Sequence, residues 1–233
     1  MRKTPYKTAR LYAFRALCNH FESEEQFDEF LAELPDEEAR SGLVHIASVY
    51  LYLVKEGDWI VDIEESNPVI DYFTNSYKLI TIFPLIESLS TEKHRDFFAW
   101  LNDRGRRNEF PLEHQRLQEL YGAYKDEFGA IRKCRSFFEE LPEEQKNELI
   151  GAFDLGEGQG RLSIGDVATF LYTLRSRFVH EGEFVLELGE IPHLTYDGRS
   201  TTVVELSMDD LKRVFELGVL TFFRNLPGRG AAQ

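Results

Sequence analysis

The sequence predicts a mainly α protein, a helical bundle with a small β-hairpin near the C-terminus. Three observations carry that expectation. Apolar residues recur at three- and four-residue spacing through most of the 233 residues, the pattern of amphipathic helices. Capping sequences and glycine or proline stops bracket those stripes. Only late in the chain does the pattern turn to alternation, over Phe184–Leu188 and Thr201–Leu206, joined by a long connection with Pro192, Asp197 and Gly198. At 42% hydrophobic and 13% aromatic, with nineteen Phe and ten Tyr, the chain can fill a core rich in rings.

In order, a first helix is expected from about Pro5 to Phe21, with Tyr6, Ala9, Ala13, Ala16 and Leu17 at helical spacing. Ser23–Gln26 has capping-box form and opens a helix through Phe27, Phe30, Leu31 and Leu34, which Pro35 interrupts. A longer helix from Asp36 to Lys55 carries the stripe Leu43, Ile46, Ala47, Tyr50, Leu51 and Val54, and Gly57–Asp58 ends it. Trp59–Ile63 reads as a short extended piece and Asn67–Pro68 as a turn. Helices follow at 69–89, 91–103 and 112–141, the last carrying Leu117, Leu120, Tyr124, Phe128, Ile131 and Phe138. Pro142 starts another, to about Phe153. Asp154–Gly160 is a glycine-rich helix connection, and Ser163–Asp166 caps a helix with the stripe Val167, Phe170, Leu171, Leu174 and Phe178, which Gly182 can end. After the hairpin, Ser207–Asp210 caps a last helix facing inward through Leu211, Val214, Phe215, Gly218 and Phe222. These elements are expected to form a single domain over 1–226, with 1–90 as a potential N-terminal helical extension and 227–233 as a flexible tail.

The net charge is −14, so the overall field repels nucleic acid and anionic membrane surfaces, and an RNA contact needs a local basic patch. Residues 161–180 hold three Arg against one Asp, a net of +2. Arg104–Arg107 and Arg132–Arg135 are two further basic clusters, read as solvated helix faces. The first twenty-one residues contain five Lys or Arg and no acid, and are read as an ordinary first helix rather than a targeting segment. No apolar run approaches the roughly 18 residues of a membrane helix, so no membrane partner is expected. Cys18 and Cys134 make no disulfide framework and read as packed, reduced thiols in a cytoplasmic protein.

Most familiar chemistries find no support. The glycine-rich loop lacks the lysine of a phosphate-binding loop, and Leu155 stands where a calcium loop needs its first ligand. His20, His45, His94, His114 and His193 show no metal-ligand spacing. There is no nucleophile elbow and no dinucleotide fingerprint. No metal and no cofactor are therefore expected.

The segment Leu171–Gly182 remains. In it Arg175 and His180, four residues between them, lie late in a capped amphipathic helix just before a glycine. This resembles the Arg-x4-6-His signature of the HEPN superfamily, many of whose members cleave RNA without metal. The wider Leu-Tyr-x-x-Arg-Ser-x-x-x-His-x-Gly context looks like the Apea-like branch, and the likeness covers 163–184. The resemblance implies a metal-independent endoribonuclease that pairs as a homodimer through the motif helix. His180 would be its acid/base, Arg175 its phosphate-stabilising residue, and Ser176 and Arg177 its substrate contacts. Ser176 departs from the Asn, Asp or His that the family often carries there. The alternative is a non-catalytic HEPN-like RNA-binding, regulatory or scaffold module, and the acidic balance leaves room for a regulatory protein partner.

The chemistry asks for little more. The RNA 2′-hydroxyl attacks the adjacent phosphorus and the 5′-oxygen leaves; an imidazole moves the proton and a guanidinium holds the phosphate. Helical geometry adds a condition. Arg175 and His180 lie about 140° apart on a straight helix. They converge only if the helix ends or bends near the histidine, or if two chains meet there.

Overall fold

The computed structural model describes residues 6–57, 69–89, 97–101, 112–154, 162–185, 188–189, 192–196 and 201–226. The fold is mainly helical. Helix α1 (Tyr6–Leu17) leads through a 3-10 turn (Cys18–His20) to α2 (Glu24–Glu33) and α3 (Glu37–Tyr50). Ser23 caps α2 by accepting from the Gln26 N–H, while the Gln26 side chain reaches back to the Glu22 N–H. Asp36 caps α3 by accepting from the Ala39 N–H. The stripe predicted for 36–55 is present, but its last turn, Leu51–Lys55, widens into a π-helix.

Helix α4 (Val69–Ser88) keeps Pro84 within it. Next come α5 (Phe97–Leu101), α6 (His114–Phe128), α7 (Ala130–Glu139) and α8 (Glu143–Gly151). The single helix expected over 112–141 is thus two. Gly129 has ψ 138°, which turns the chain out of the helix, and a Cβ there would collide with the Lys125 carbonyl oxygen. The apolar stripe spans the break although the two pieces serve different clusters, Leu120 of α6 packing with Trp100 and Leu101 and Cys134, Phe137 and Phe138 of α7 in the main core.

Strand β1 (Phe153–Asp154), helix α9 (Ile164–Glu181), strands β2 (His193–Tyr196) and β3 (Thr201–Val204) and helix α10 (Met208–Arg224) complete the described chain. The sheet has the order β1-β3-β2, antiparallel throughout, with His193 opposite Val204 and Tyr196 opposite Thr201. The hairpin is where the sequence places it, but its first strand is 193–196 rather than 184–188. Residues 183–185 are irregular because α4 claims them. Ser76 accepts the Val185 N–H at 2.8 Å, and Asn75 donates to the Leu188 carbonyl at 3.0 Å. Val185 and Leu188 are both buried although they are three residues apart, so their burial comes from docking rather than from the period-two face of a strand. Strand β1 was not anticipated; two residues carry no periodicity.

One hydrophobic cluster runs from Ala13 to Phe223 and draws on α1–α4 and α7–α10. α1 packs along α3, and α7 along α9. A smaller cluster of Trp100, Leu101 and Leu120 joins α5 to α6, with the Trp100 indole N–H donated to Glu127 at 2.9 Å. Among the described residues, no helix is long and apolar enough to cross a membrane. The extended piece at 59–63, the turn at 67–68, residues 155–160 of the glycine-rich loop, Arg104–Arg107 and the tail lie outside the described residues.

Candidate functional site

The motif helix α9 is fixed at both ends by local sequence. Ser163 accepts from the Asp166 N–H at 3.2 Å and Asp166 accepts from the Ser163 N–H at 2.9 Å, the reciprocal capping box. The Ser163 hydroxyl, donating to the same carboxylate at 2.6 Å, and the Ser163 N–H together hold the Asp166 carboxyl below the usual carboxylate range. At the other end Gly182 adopts φ 72°, the left-handed conformation glycine takes at least cost, and its N–H closes on the Phe178 carbonyl. Between them Val167, Leu171 and Leu174 are buried. Cys134 and Arg135 of α7 hydrogen-bond the Ala168 and Gly165 carbonyls, locking α7 to α9. Arg135 is therefore a structural tie, and Arg132 likewise bonds the Glu127 carbonyl, rather than either being a merely solvated charge.

Each motif residue has a distinct environment. Arg175 is half-buried; its guanidinium carbon sits 5.7 Å from the centroid of the Tyr172 ring, and its Nε is buried without a hydrogen-bond partner. Among the described residues Arg175 makes no ion pair. Ser176 is half-buried and Arg177 is held by Glu183, with Nε and Nη2 at 2.7 and 2.6 Å from one carboxylate oxygen. His180 is exposed in the last turn and makes no hydrogen bond or ion pair among the described residues. The helix stays α-helical through Glu181, so no bend brings Arg175 and His180 together within one chain. Their Cα positions remain about 140° apart around the axis.

The segment leaving Gly182 adds what the motif alone does not reveal. Phe184 lies against Phe178 (centroids 6.2 Å) and Phe73 (5.9 Å), while Tyr77 touches both Phe73 and Phe178. An aromatic group from α4 and α9 therefore backs the end of the motif helix.

A second polar constellation escaped the sequence reading. Glu216 of α10, only 3% exposed, accepts hydrogen bonds from His20 at 2.8 Å, Lys55 at 2.8 Å and Tyr50 at 2.9 Å. Desolvation pushes the Glu216 carboxyl up, but the three donors and the Lys55 charge outweigh it, leaving it below the ordinary glutamate value. Burial and the adjacent Glu216 push the Tyr50 hydroxyl far up. The available signal was a glutamate inside the apolar stripe of α10. Its partners lie up to 196 residues away, beyond any local pattern. With all its donors inside the protein, this group is a structural tie between the 3-10 turn after α1, the end of α3 with its π-helical turn, and α10.

Other groups offer less. A pocket of about 270 Å³ between α8, β3 and α10 contains Glu148, Glu205, Asp210 and Arg213 but no motif residue, and its arginine is bound to Glu148. Of the two free cysteines, Cys134 is buried as expected, its thiol pushed up by burial to about 12, whereas Cys18 is exposed rather than packed. Among the described residues no group of three His, Cys, Asp or Glu is placed to hold a metal ion. No protein-family model matches the chain, and comparison with curated proteins and with solved structures gave no significant match.

Proposed function

We propose that the chain is a metal-independent endoribonuclease of the HEPN type, acting in the cytoplasm as a homodimer paired through α9. One observation carries the reading. In a chain with 41 acidic and 27 basic residues, Arg175 is half-buried on an aromatic ring with a buried Nε and no acidic partner among the described residues. A guanidinium left without a carboxylate in such a chain is suited to an incoming anion. His180, exposed at the end of the same helix, is the proton-transferring group, since imidazole exchanges a proton in the neutral range.

In this mechanism Arg175 holds the scissile phosphate and offsets its charge as the 2′-oxygen attacks. His180 moves the proton, and the 5′-oxygen leaves with a 2′,3′-cyclic phosphate behind. Ser176 and Arg177 contact the substrate, Arg177 by exchanging its exposed and weakly held Glu183 for a phosphate. Because one straight helix keeps Arg175 and His180 on different flanks, the site takes Arg175 from one protomer and His180 from its partner.

RNA incubated in EDTA is expected to yield cyclic-phosphate ends, with Arg175→Ala and His180→Ala each lowering the rate by about 10²–10⁴-fold. Intact RNA after long incubation with a verified dimer would replace this reading with the non-catalytic module. That second reading has its own observation: Arg175 already stacks on Tyr172, and a cation at the end of α9 complements the helix dipole.

A further inference from the structure

The aromatic group at the end of α9 is built like a platform. Phe184 is 40% exposed, yet its ring is backed by Phe178 and Phe73, and Tyr77 supports both of those. Its backbone has little freedom. Gly182 sets the turn before it, and the next residue, Val185, is buried and tied to Ser76. A large apolar ring held rigidly at the surface costs little entropy on binding a flat partner.

Its neighbours select the kind of partner. Phe178, which touches Phe184, follows Arg175 by three residues on the same side of α9. The Arg175 guanidinium leans toward Tyr172, and the axial distance from Tyr172 to Phe178 is about 9 Å. A phosphate at Arg175 and a flat ring on Phe184 would therefore belong to neighbouring units of one strand, not to a single nucleotide. Arg177, between them in sequence, is paired among the described residues with the exposed Glu183. An exposed flat ring at the end of a helix that carries two arginines, in an acidic chain, matches an unpaired nucleobase with its phosphates better than it matches an apolar protein surface.

We propose that Phe184 is a nucleobase-stacking residue. It holds a base of single-stranded RNA next to the phosphate bound at Arg175, and so directs the enzyme to unpaired RNA. The assignment rests on the RNA-cleavage reading above.

The test uses the full chain carrying His180→Ala, to prevent cleavage, and fluorescein-labelled single-stranded ten-nucleotide RNAs read by anisotropy at fixed salt. Adding Phe184→Ala should weaken binding by about 5- to 100-fold, and Phe184→Trp should restore it. Probes with one abasic nucleotide walked along the strand should show a position where affinity drops and where Phe184→Ala has no further effect. Equal affinity for Phe184→Ala and its parent would overturn the assignment. So would a lower sedimentation mass of Phe184→Ala, which would make the ring a contact between two copies. Cleavage and binding of RNA that are the same in the wild type and in Phe184→Ala remove this inference alone. Protein that neither binds nor cleaves RNA removes the underlying reading with it.

Discussion

Glu216 is the clearest single-residue lesson. A carboxylate placed in the buried stripe of a helix is destabilising unless it is fully partnered, and here His20, Lys55 and Tyr50 partner it. Glu216→Gln leaves Lys55 mostly buried without its counter-charge, which should cost on the order of 2–4 kcal/mol near neutral pH. The folded-state pKa of Glu216 is depressed, so its contribution is complete above the unfolded value. It is lost as pH falls through the folded one. Urea unfolding across pH should show the gap between wild type and Glu216→Gln largest near pH 7 and closing below roughly pH 4. A gap that stayed constant into acid would mean the carboxylate charge is not what matters. Gly218 gives a second residue-scale prediction. A Cβ there would overlap the Phe137 ring, so Gly218→Ala should lower stability by about 1–3 kcal/mol despite alanine's better helix propensity. Gly122 of α6 faces open space, and Gly122→Ala should instead raise stability by about 0.5–1 kcal/mol in the same denaturation assay.

At the scale of elements, the ends of α9 decide where the motif residues stand. Ser163→Ala removes half of the capping box and should cost about 1 kcal/mol, read as a lower melting temperature. Gly182→Ala must hold an L side chain at φ 72°, at about 1 kcal/mol, and it also displaces the turn that delivers Phe184. Its effect on RNA binding should therefore exceed its modest effect on stability. The helix boundaries set by such local rules were readable directly: Ser23, Ser163 and Ser207 all cap where the sequence places them. The break at Gly129 was not, because a glycine within a continuous apolar stripe is compatible with either a straight helix or a corner. The Phe184–Leu188 alternation misled because the sequence shows which residues are apolar, not what covers them. Val185 and Leu188 are buried three residues apart against the rest of the fold, an arrangement that a period-two pattern does not describe.

For the whole molecule, the proposed site depends on pairing. If Arg175 and His180 act across two protomers, mixing the inactive Arg175→Ala and His180→Ala chains and allowing exchange should restore activity. A mixed dimer carries one complete site, and at equal input about a quarter of the wild-type rate is expected from random pairing, half the dimers being mixed with one site of two intact. No recovery, with exchange verified, would place both groups in one chain. The net charge of −14 bears on the same scale, since on the proposed function RNA would have to reach a local basic patch against the overall field. Binding should therefore weaken with salt less steeply than for a uniformly basic nuclease, which a salt titration of the anisotropy signal would read.

By itself the sequence determined the helical character of the chain, the capped ends of α9 and α10, the buried stripes and the positions of Arg175, Ser176, Arg177 and His180 on one helix. Each follows from interactions within a few residues. The tertiary structure decided what lies around those positions. It ties Arg177 to Glu183, stacks Arg175 on Tyr172, leaves His180 exposed, and brings Phe73 and Tyr77 from about a hundred residues away to support Phe178 and Phe184. It also buried Glu216 among three donors from the first quarter of the chain. Local periodicity records which face of a helix is buried, whereas the identity of the neighbour across that face is set only when distant helices pack.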